Sequence, residues 1–208
     1  FNQLSGFMEC LQENGGRLFR RRKDRHVLWY GTPRLQTARS LATFMEGATL
    51  PEIITIRRAR LSDADQLPGL FDDALRLIAS RFYTPAQIDA WARRAPKFQH
   101  IFETEFEARS AWVAVTETGR LLAYIDLVDD GHIDFFYASP DVTRTQVTHD
   151  LFDELLCEAH HKGITELSTE ASEAAKRFFA KYGFEVTHKQ DVWLEDVCLH
   201  NYRMTRSI

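Results

Sequence analysis

A chain of 208 residues, 44% hydrophobic and 27% charged with a formal net charge of −4, has an ordinary globular composition. It can bury one sizeable core, or one medium domain with a small appendage. No apolar run approaches the ~18–20 residues that span a bilayer, and three scattered cysteines (Cys10, Cys157, Cys198) outside any CxxC spacing exclude a zinc or disulfide framework and point to a reducing, cytoplasmic setting. Charge divides the chain: residues 1–50 hold eight Lys/Arg against four Asp/Glu and the remainder eighteen against twenty-six, so two units are expected, 1–50 and 51–208.

In the first unit, apolar spacing predicts a short helix over 4–13, closed by Asn14-Gly15-Gly16. Two extended runs follow, 17–22 and 26–30, then a helix over 35–46, giving a small α-β-β-α appendage. Fifty residues are too few to fold securely alone, so this unit is expected to pack on the larger domain or on a partner.

From 53 to 58 the sequence alternates as a strand should. Ser62 is expected to cap a helix to residue 78, with an apolar stripe through Leu67, Leu70, Phe71, Ala74, Leu75 and Ile78. Thr84-Pro85 opens a second helix carrying Ile88, Trp91 and Ala92. Strands are predicted over 112–115 and 121–128, joined by the turn Glu117-Thr118-Gly119, and a further strand over 132–138 ends at Ser139-Pro140. A long amphipathic helix over 143–161 stops at Lys162-Gly163. Strand 164–169, helix 172–182, and strands 184–188 and 197–204 complete the chain. The order β-α-α-β-β-β-α-β-α-β-β gives an α/β (α+β) fold with a mixed central sheet flanked by helices.

Three segments in this order resemble the GNAT superfamily of N-acyltransferases. Ile56-Arg57-Arg58-Ala59 with Ser62-Asp63-Ala64-Asp65 is similar to its opening strand and helix. The run from Gly131 through His132, Ile133, Asp134, Phe135, Phe136, Tyr137 and Ala138 to Pro140 resembles its central strand. Phe178-Phe179-Ala180-Lys181-Tyr182-Gly183-Phe184 is similar to its last helix and strand. The resemblance covers about three-quarters of the chain. It implies an N-acetyltransferase that moves an acetyl group from acetyl-CoA, a co-substrate, to a small-molecule or peptide amine within a ternary complex. It also implies homodimers among relatives and no metal.

The same resemblance assigns residues. Pantetheine would pair with backbone near Ala138 and Ser139, whose N–H groups would also face the oxyanion. The pyrophosphate would sit on the loop Thr143, Arg144, Thr145, Gln146, Val147 and Thr148, at the start of the long helix. The family writes that loop as [QR]-x-x-G-x-[GA]; Gln146 and Thr148 place side chains where it has glycine and a small residue, so weakened binding is expected. Arg144 and the hydroxyls of Thr143 and Thr145 could compensate by donating to phosphate. Ser172 stands where the family often has asparagine, and Phe179 where it has the tyrosine that protonates the leaving thiolate; Tyr182, one turn on, is the candidate acid. A GNAT scaffold kept only for binding is the alternative reading.

On a regular strand His132, Asp134 and Phe136 share one face, which makes Asp134 the candidate base and His132 its orienting partner, or else Asp134 merely bonds a neighbouring loop. Phe82, Tyr83 and Trp91, around the first two helices, are candidates for the acceptor pocket, with Tyr83 preferred and Trp91 read as core. His160 and His161 diverge by about 100° on a helix and cannot chelate one ion together. Residues 17–30 interleave cations with Phe19, His26, Trp29 and Tyr30, a pattern suited to RNA. Residues 11–26 also faintly resemble HicA, a family of small RNA-cleaving toxins; a solvated flap docked on the larger domain is the preferred reading.

Overall fold

The computed structural model describes residues 25–28 and 53–208. The expected helices over 4–13 and 35–46 and the strand over 17–22 lie outside the described residues.

Strand β1 (Arg25–Leu28) pairs antiparallel with β2 (Ile53–Arg58), so the second extended run of the basic segment continues the main sheet at its edge. A helical stretch follows β2: a 3-10 turn (Leu61–Gln66), α1 (Leu67–Asp73), a π turn (Ala74–Ile78) and a last 3-10 turn (Ala79–Arg81). Ser62 does not cap it. The cap is Arg60, two residues earlier, because the Asp63 carboxylate accepts the Arg60 N–H at 2.8 Å and a bidentate pair from Arg57 at 2.8 Å each. A carboxylate held by a guanidinium is the stronger acceptor and displaces the hydroxyl. Thr84 does cap α2 (Pro85–Ala92), with Gln87 reaching back in a capping box. The sequence reading missed α3 (Ala95–Thr104), although Pro96 in its first turn and Phe98/Phe102 at helical spacing both mark it.

Strands β3 (Arg109–Thr116) and β4 (Leu121–Val128) form the expected hairpin. Buried on both faces, they alternate: Trp112 and Ala114 pack on one side, Ala111, Val113 and Val115 on the other. The first side meets α4 (Gln146–His161), whose Val147, Leu151, Leu155 and Ala159 recur every fourth residue, with Phe152 and Leu156 beside them. The second side meets α1, α2 and α3 through Leu67, Leu70, Phe71, Ile88, Phe98 and Phe102. Each such side chain, fully buried, contributes roughly 1.5–3 kcal/mol.

The single strand expected over 132–138 is two. Strand β5 (His132–Ile133) pairs parallel with β7 (Glu166–Ala171), while β6 (Phe136–Ala138) pairs antiparallel with β4. The described residues therefore form two sheets, β1-β2-β3-β4-β6 and one ordered β5-β7-β9 (Val197–Ser207)-β8 (Glu185–Leu194), that part company at Asp134-Phe135. Gly131, at φ +87°, lets β5 approach β7; a Cβ there would stand 2.3 Å from the Glu166 carbonyl oxygen. After α5 (Glu173–Lys181), capped by Ser172, the hairpin β8 (Glu185–Leu194) and β9 (Val197–Ser207) runs longer than its sequence pattern suggests. Among the described residues no helix is long and apolar enough to cross a membrane.

Candidate functional site

The strand break makes the site. Beyond Ile133, β7 has no partner on the β6 side, and β6 pairs only with β4 among the described residues, so a wedge opens between them. What holds the break is a buried carboxylate. Asp126, wholly inaccessible on β4, accepts the Phe135 N–H at 2.8 Å through Oδ1, while its own N–H donates to the Phe135 carbonyl at 3.1 Å. Its Oδ2 accepts from Arg109 Nη1 at 2.9 Å and from the Tyr124 hydroxyl at 3.0 Å. Burial pushes the Asp126 carboxyl up to about 6, although Arg109 opposes the shift.

Arg109 gathers three carboxylates. Besides Asp126 it donates to Asp134 at 2.8 Å and to Glu105 at 2.6 Å, and these acids hold its guanidinium above the ordinary range despite burial. Asp134 thus projects from the break with one oxygen on Arg109 and the carboxylate one-third exposed to a pocket. That pocket encloses about 250 Å³, below the ~300–1,000 Å³ typical of drug-sized sites. Its floor is Phe135 and Tyr137 from the break and β6, packed on Phe98 and Phe71. Trp91, Arg94, Lys97 and Ile101 close one side; Glu170 and Ser172 at the end of β7, with Val192, Leu194, Leu199 and Asn201 of the β8–β9 hairpin, close the other. Burial and the nearby acids raise the Tyr137 hydroxyl well above its usual value, so it stays protonated.

Several expected site residues stand elsewhere. His132 does not orient Asp134: with the strand broken after Ile133 the two no longer share a face, and His132 Nδ1 pairs with Ser168 Oγ at 2.9 Å. Tyr83 is outside the pocket and 5% exposed; its hydroxyl donates to the His200 carbonyl and accepts the Glu173 N–H, both at 2.9 Å, pinning the bend before α2 to β9 and α5. Phe82 points to solvent at 45% exposure, whereas Trp91, read as core, is on the pocket wall. The hairpin does this, since β9 takes the place beside Tyr83 that a substrate would need. Tyr182 lies between α4 and α5 against Phe152 and Phe178, its hydroxyl on His149 Nδ1 at 2.9 Å, and burial raises its hydroxyl's pKa. It does not line the pocket.

Ala138 ends β6, and the Ser139 N–H that follows donates to the Leu122 carbonyl at 2.7 Å, so it does not face an oxyanion as expected. In the loop before α4, the hydroxyls of Thr143 and Thr145 are committed to the chain's own carbonyls, of Pro140 at 2.9 Å and Val142 at 2.7 Å. The expected compensation by those two donors is therefore not provided. Thr145 also caps the Val147 N–H. Thr148 is buried with its hydroxyl on the Thr145 carbonyl, and Gln146 is exposed with its amide on Asp150. Arg144 adopts φ +65°, left-handed backbone that favours glycine. Ser172 serves as the cap of α5, accepting the Ala175 N–H, and touches the pocket.

Arg94, Lys97, Glu170, Val192 and Asn201 escaped the sequence reading. The unread α3 and the underestimated hairpin carry most of them.

A family model for the acetyltransferase (GNAT) domain matches residues 80–206. This chain belongs to the GNAT acetyltransferase family. The uncharacterised N-acetyltransferase YafP of Escherichia coli (strain K12) is 31% identical over 155 residues, covering 73% of this chain and 94% of YafP. A GCN5-related N-acetyltransferase structure (aminotransferase, class II) from Rhodopseudomonas palustris superposes with a TM-score of 0.66 at 27% identity, over 74% of this chain and 94% of that one. The PaiA N-acetyltransferase of Thermoplasma acidophilum, solved in complex with coenzyme A, gives a TM-score of 0.60 at 19% identity over 74% and 99% of the two chains. The GNAT domain is an acyltransferase, and the split strand is its wedge. These matches lend no support to the HicA likeness of residues 11–26.

Proposed function

We propose that this GNAT acyltransferase transfers the acetyl group of acetyl-CoA to the nitrogen of a small amine held in the 250 Å³ pocket, in a direct ternary complex. The observation that carries the reading is the junction of two spaces at Asp134-Phe135. The wedge between β6 and β7 fits a narrow chain such as pantetheine, and the pocket behind it holds a carboxylate. Coenzyme A in the structure of the Thermoplasma relative supports the donor. The loop at α4 fits the pyrophosphate less well, because the exposed Gln146 side chain stands at the helix start and Asp150 adds negative charge, whereas Thr148 is turned inward onto the Thr145 carbonyl.

When bound, acetyl-CoA supplies a thioester carbonyl whose C–S bond breaks as the C–N bond forms. Asp134 accepts one proton of the incoming ammonium, directly or through a water, and returns it to solvent; the second amine proton leaves with the thiol. The Ser139 N–H is already on the Leu122 carbonyl, so the backbone N–H of Ala138 is the candidate donor to the thioester carbonyl oxygen. Phe135, Tyr137 and Trp91 exclude water and orient the apolar part of the acceptor. The pocket's small volume favours a free metabolite over a folded polypeptide.

Calorimetric titration with acetyl-CoA, followed by thiol release in an amine panel, tests the reading. Saturable binding with amine-dependent thiol release upholds it. No binding at millimolar acetyl-CoA would leave a GNAT scaffold without transfer.

A further inference from the structure

Charges around the acceptor pocket do not balance within it. Four charged residues line it: Arg94, Lys97, Asp134 and Glu170. Both carboxylates already have cations from outside the lining, Asp134 on Arg109 at 2.8 Å and Glu170 on Arg203 at 3.5 Å. Neither Arg94 nor Lys97 has a carboxylate partner among the described residues, although the adjacent Arg93 is paired with Glu195. Nor does the helix itself account for them. Arg94 precedes α3 and Lys97 lies in its first turn, where the helix dipole repels cations. Both are exposed and need no partner of their own, but on the rim of an aromatic cavity they offer two charge-assisted donors to an anionic group of the ligand.

The hairpin side of the pocket adds one polar residue. Asn201 Oδ1 is buried without a hydrogen-bond partner, and Asn201 lines the same pocket as Asp134. Trp91, Phe98 and Phe135 give the same pocket an aromatic wall.

Resting on the transferase reading above, we infer that the acceptor is an amino acid with an apolar or aromatic side chain. Its carboxylate is held by Arg94 and Lys97, its body lies on the aromatic wall, and its amine is directed to Asp134 beside the wedge. A pocket of about 250 Å³ suits one such molecule.

The test compares matched pairs that differ only in the carboxylate: phenylalanine with phenethylamine, tryptophan with tryptamine, leucine with isopentylamine. Each is titrated calorimetrically into the full chain, with and without acetyl-CoA, and thiol release is followed in parallel. At least one amino acid should bind about tenfold or more tightly than its amine, and this preference should collapse in Arg94→Gln/Lys97→Gln. Equal or tighter binding of all three amines overturns the inference, as does no binding by any amino acid, or a preference that survives the double substitution. The wild-type comparison decides on its own should that variant fold poorly. Thiol release from the amines without carboxylate preference would sink the inference and leave the transferase standing. Carboxylate-dependent binding without thiol release would keep the amino acid as the pocket's ligand and overturn its role as acceptor together with the transferase reading.

Discussion

Asp126 holds both backbone polar groups of Phe135, its carboxylate taking the N–H at 2.8 Å and its own N–H reaching the carbonyl at 3.1 Å. A regular strand would satisfy both groups through the ladder; here the carbonyl keeps a backbone donor but a side chain stands in for the N–H's acceptor, and the strand is free to break. The break turns Asp134 out towards the pocket, and Arg109 ties it back to the same buried carboxylate.

Removing Asp126 should therefore cost far more than one hydrogen bond. Asp126→Ala leaves Arg109, Tyr124 Oη and Phe135 N–H without their buried acceptor, and about 3–5 kcal/mol of unfolding free energy should be lost. Asp126→Asn keeps a carbonyl for two of these donors and should lose less. Urea unfolding followed by circular dichroism measures both; equal, small losses would mean that the break is held by something else.

Two carboxylates should pull the pH profile in opposite directions. Asp126, raised by burial to about 6 against an unfolded value of about 3.9, binds its proton more tightly when folded. Its contribution is complete below about pH 4 and is lost as pH rises through about 6. Glu173 is lowered to about 2, first by Lys176 and then by Tyr202 and His200, so its contribution is present above about pH 4.3 and lost as pH falls towards 2. Thermal unfolding from pH 2 to 7 should show Asp126→Asn removing a fall in stability between 4 and 6, and Glu173→Gln softening the acid limb. A wild-type profile unchanged by Asp126→Asn would mean that this carboxyl does not titrate there.

The GNAT frame was legible because its signals are local. Apolar periodicity marks α4, the capping pair Thr84/Gln87 marks α2, and Gly119 marks the β3–β4 turn. The break at Asp134 was not, because 132–138 reads as one alternating strand and what interrupts it, Asp126, is eight residues away in sequence and on another strand. Tyr83 was misplaced for a similar reason. An aromatic at a helix bend suits a pocket as well as a clamp, and only the long hairpin bringing His200 to its hydroxyl decides between them.

Tyr83 and Trp91 should separate cleanly on substitution. Tyr83→Phe strands the Glu173 N–H and should cost about 1–3 kcal/mol of stability while leaving acceptor KM nearly unmoved. Trp91→Ala removes a pocket wall and should raise acceptor KM about tenfold, with a smaller effect on kcat. Steady-state thiol release beside a melting curve reads both; a large KM change in Tyr83→Phe would return that residue to the pocket.

Asp134 and Tyr182 differ in what they can reach. Asp134→Asn keeps an oxygen for Arg109 but cannot take a proton, so kcat should fall by about 10²–10⁴-fold with little loss of stability. Tyr182→Phe gives up only the contact with His149, and kcat should stay within about twofold of the wild type. A loss of two orders of magnitude in Tyr182→Phe would make it the acid for the leaving thiolate after all.

The loop before α4 offers the sharpest test of how far the donor site has been weakened. Asp150 is only 7% exposed, one turn into α4, and receives the Gln146 amide at 3.0 Å; a carboxylate there opposes an anion at the helix start. Asp150→Asn should tighten acetyl-CoA severalfold without touching the acceptor pocket. Gln146→Gly should act in the same direction by removing a side chain from the phosphate path, while loosening the first turn of α4 by at most about 1 kcal/mol. Arg144→Gly relieves a left-handed backbone that costs a non-glycine residue about 1–2 kcal/mol, part of which the greater freedom of unfolded glycine offsets, so it should be neutral to mildly stabilising. Calorimetry at several salt concentrations separates the effects: the gain from Asp150→Asn is electrostatic and should shrink with salt, whereas the steric gain from Gln146→Gly should not. Unchanged affinity in both variants would place the pyrophosphate away from this loop.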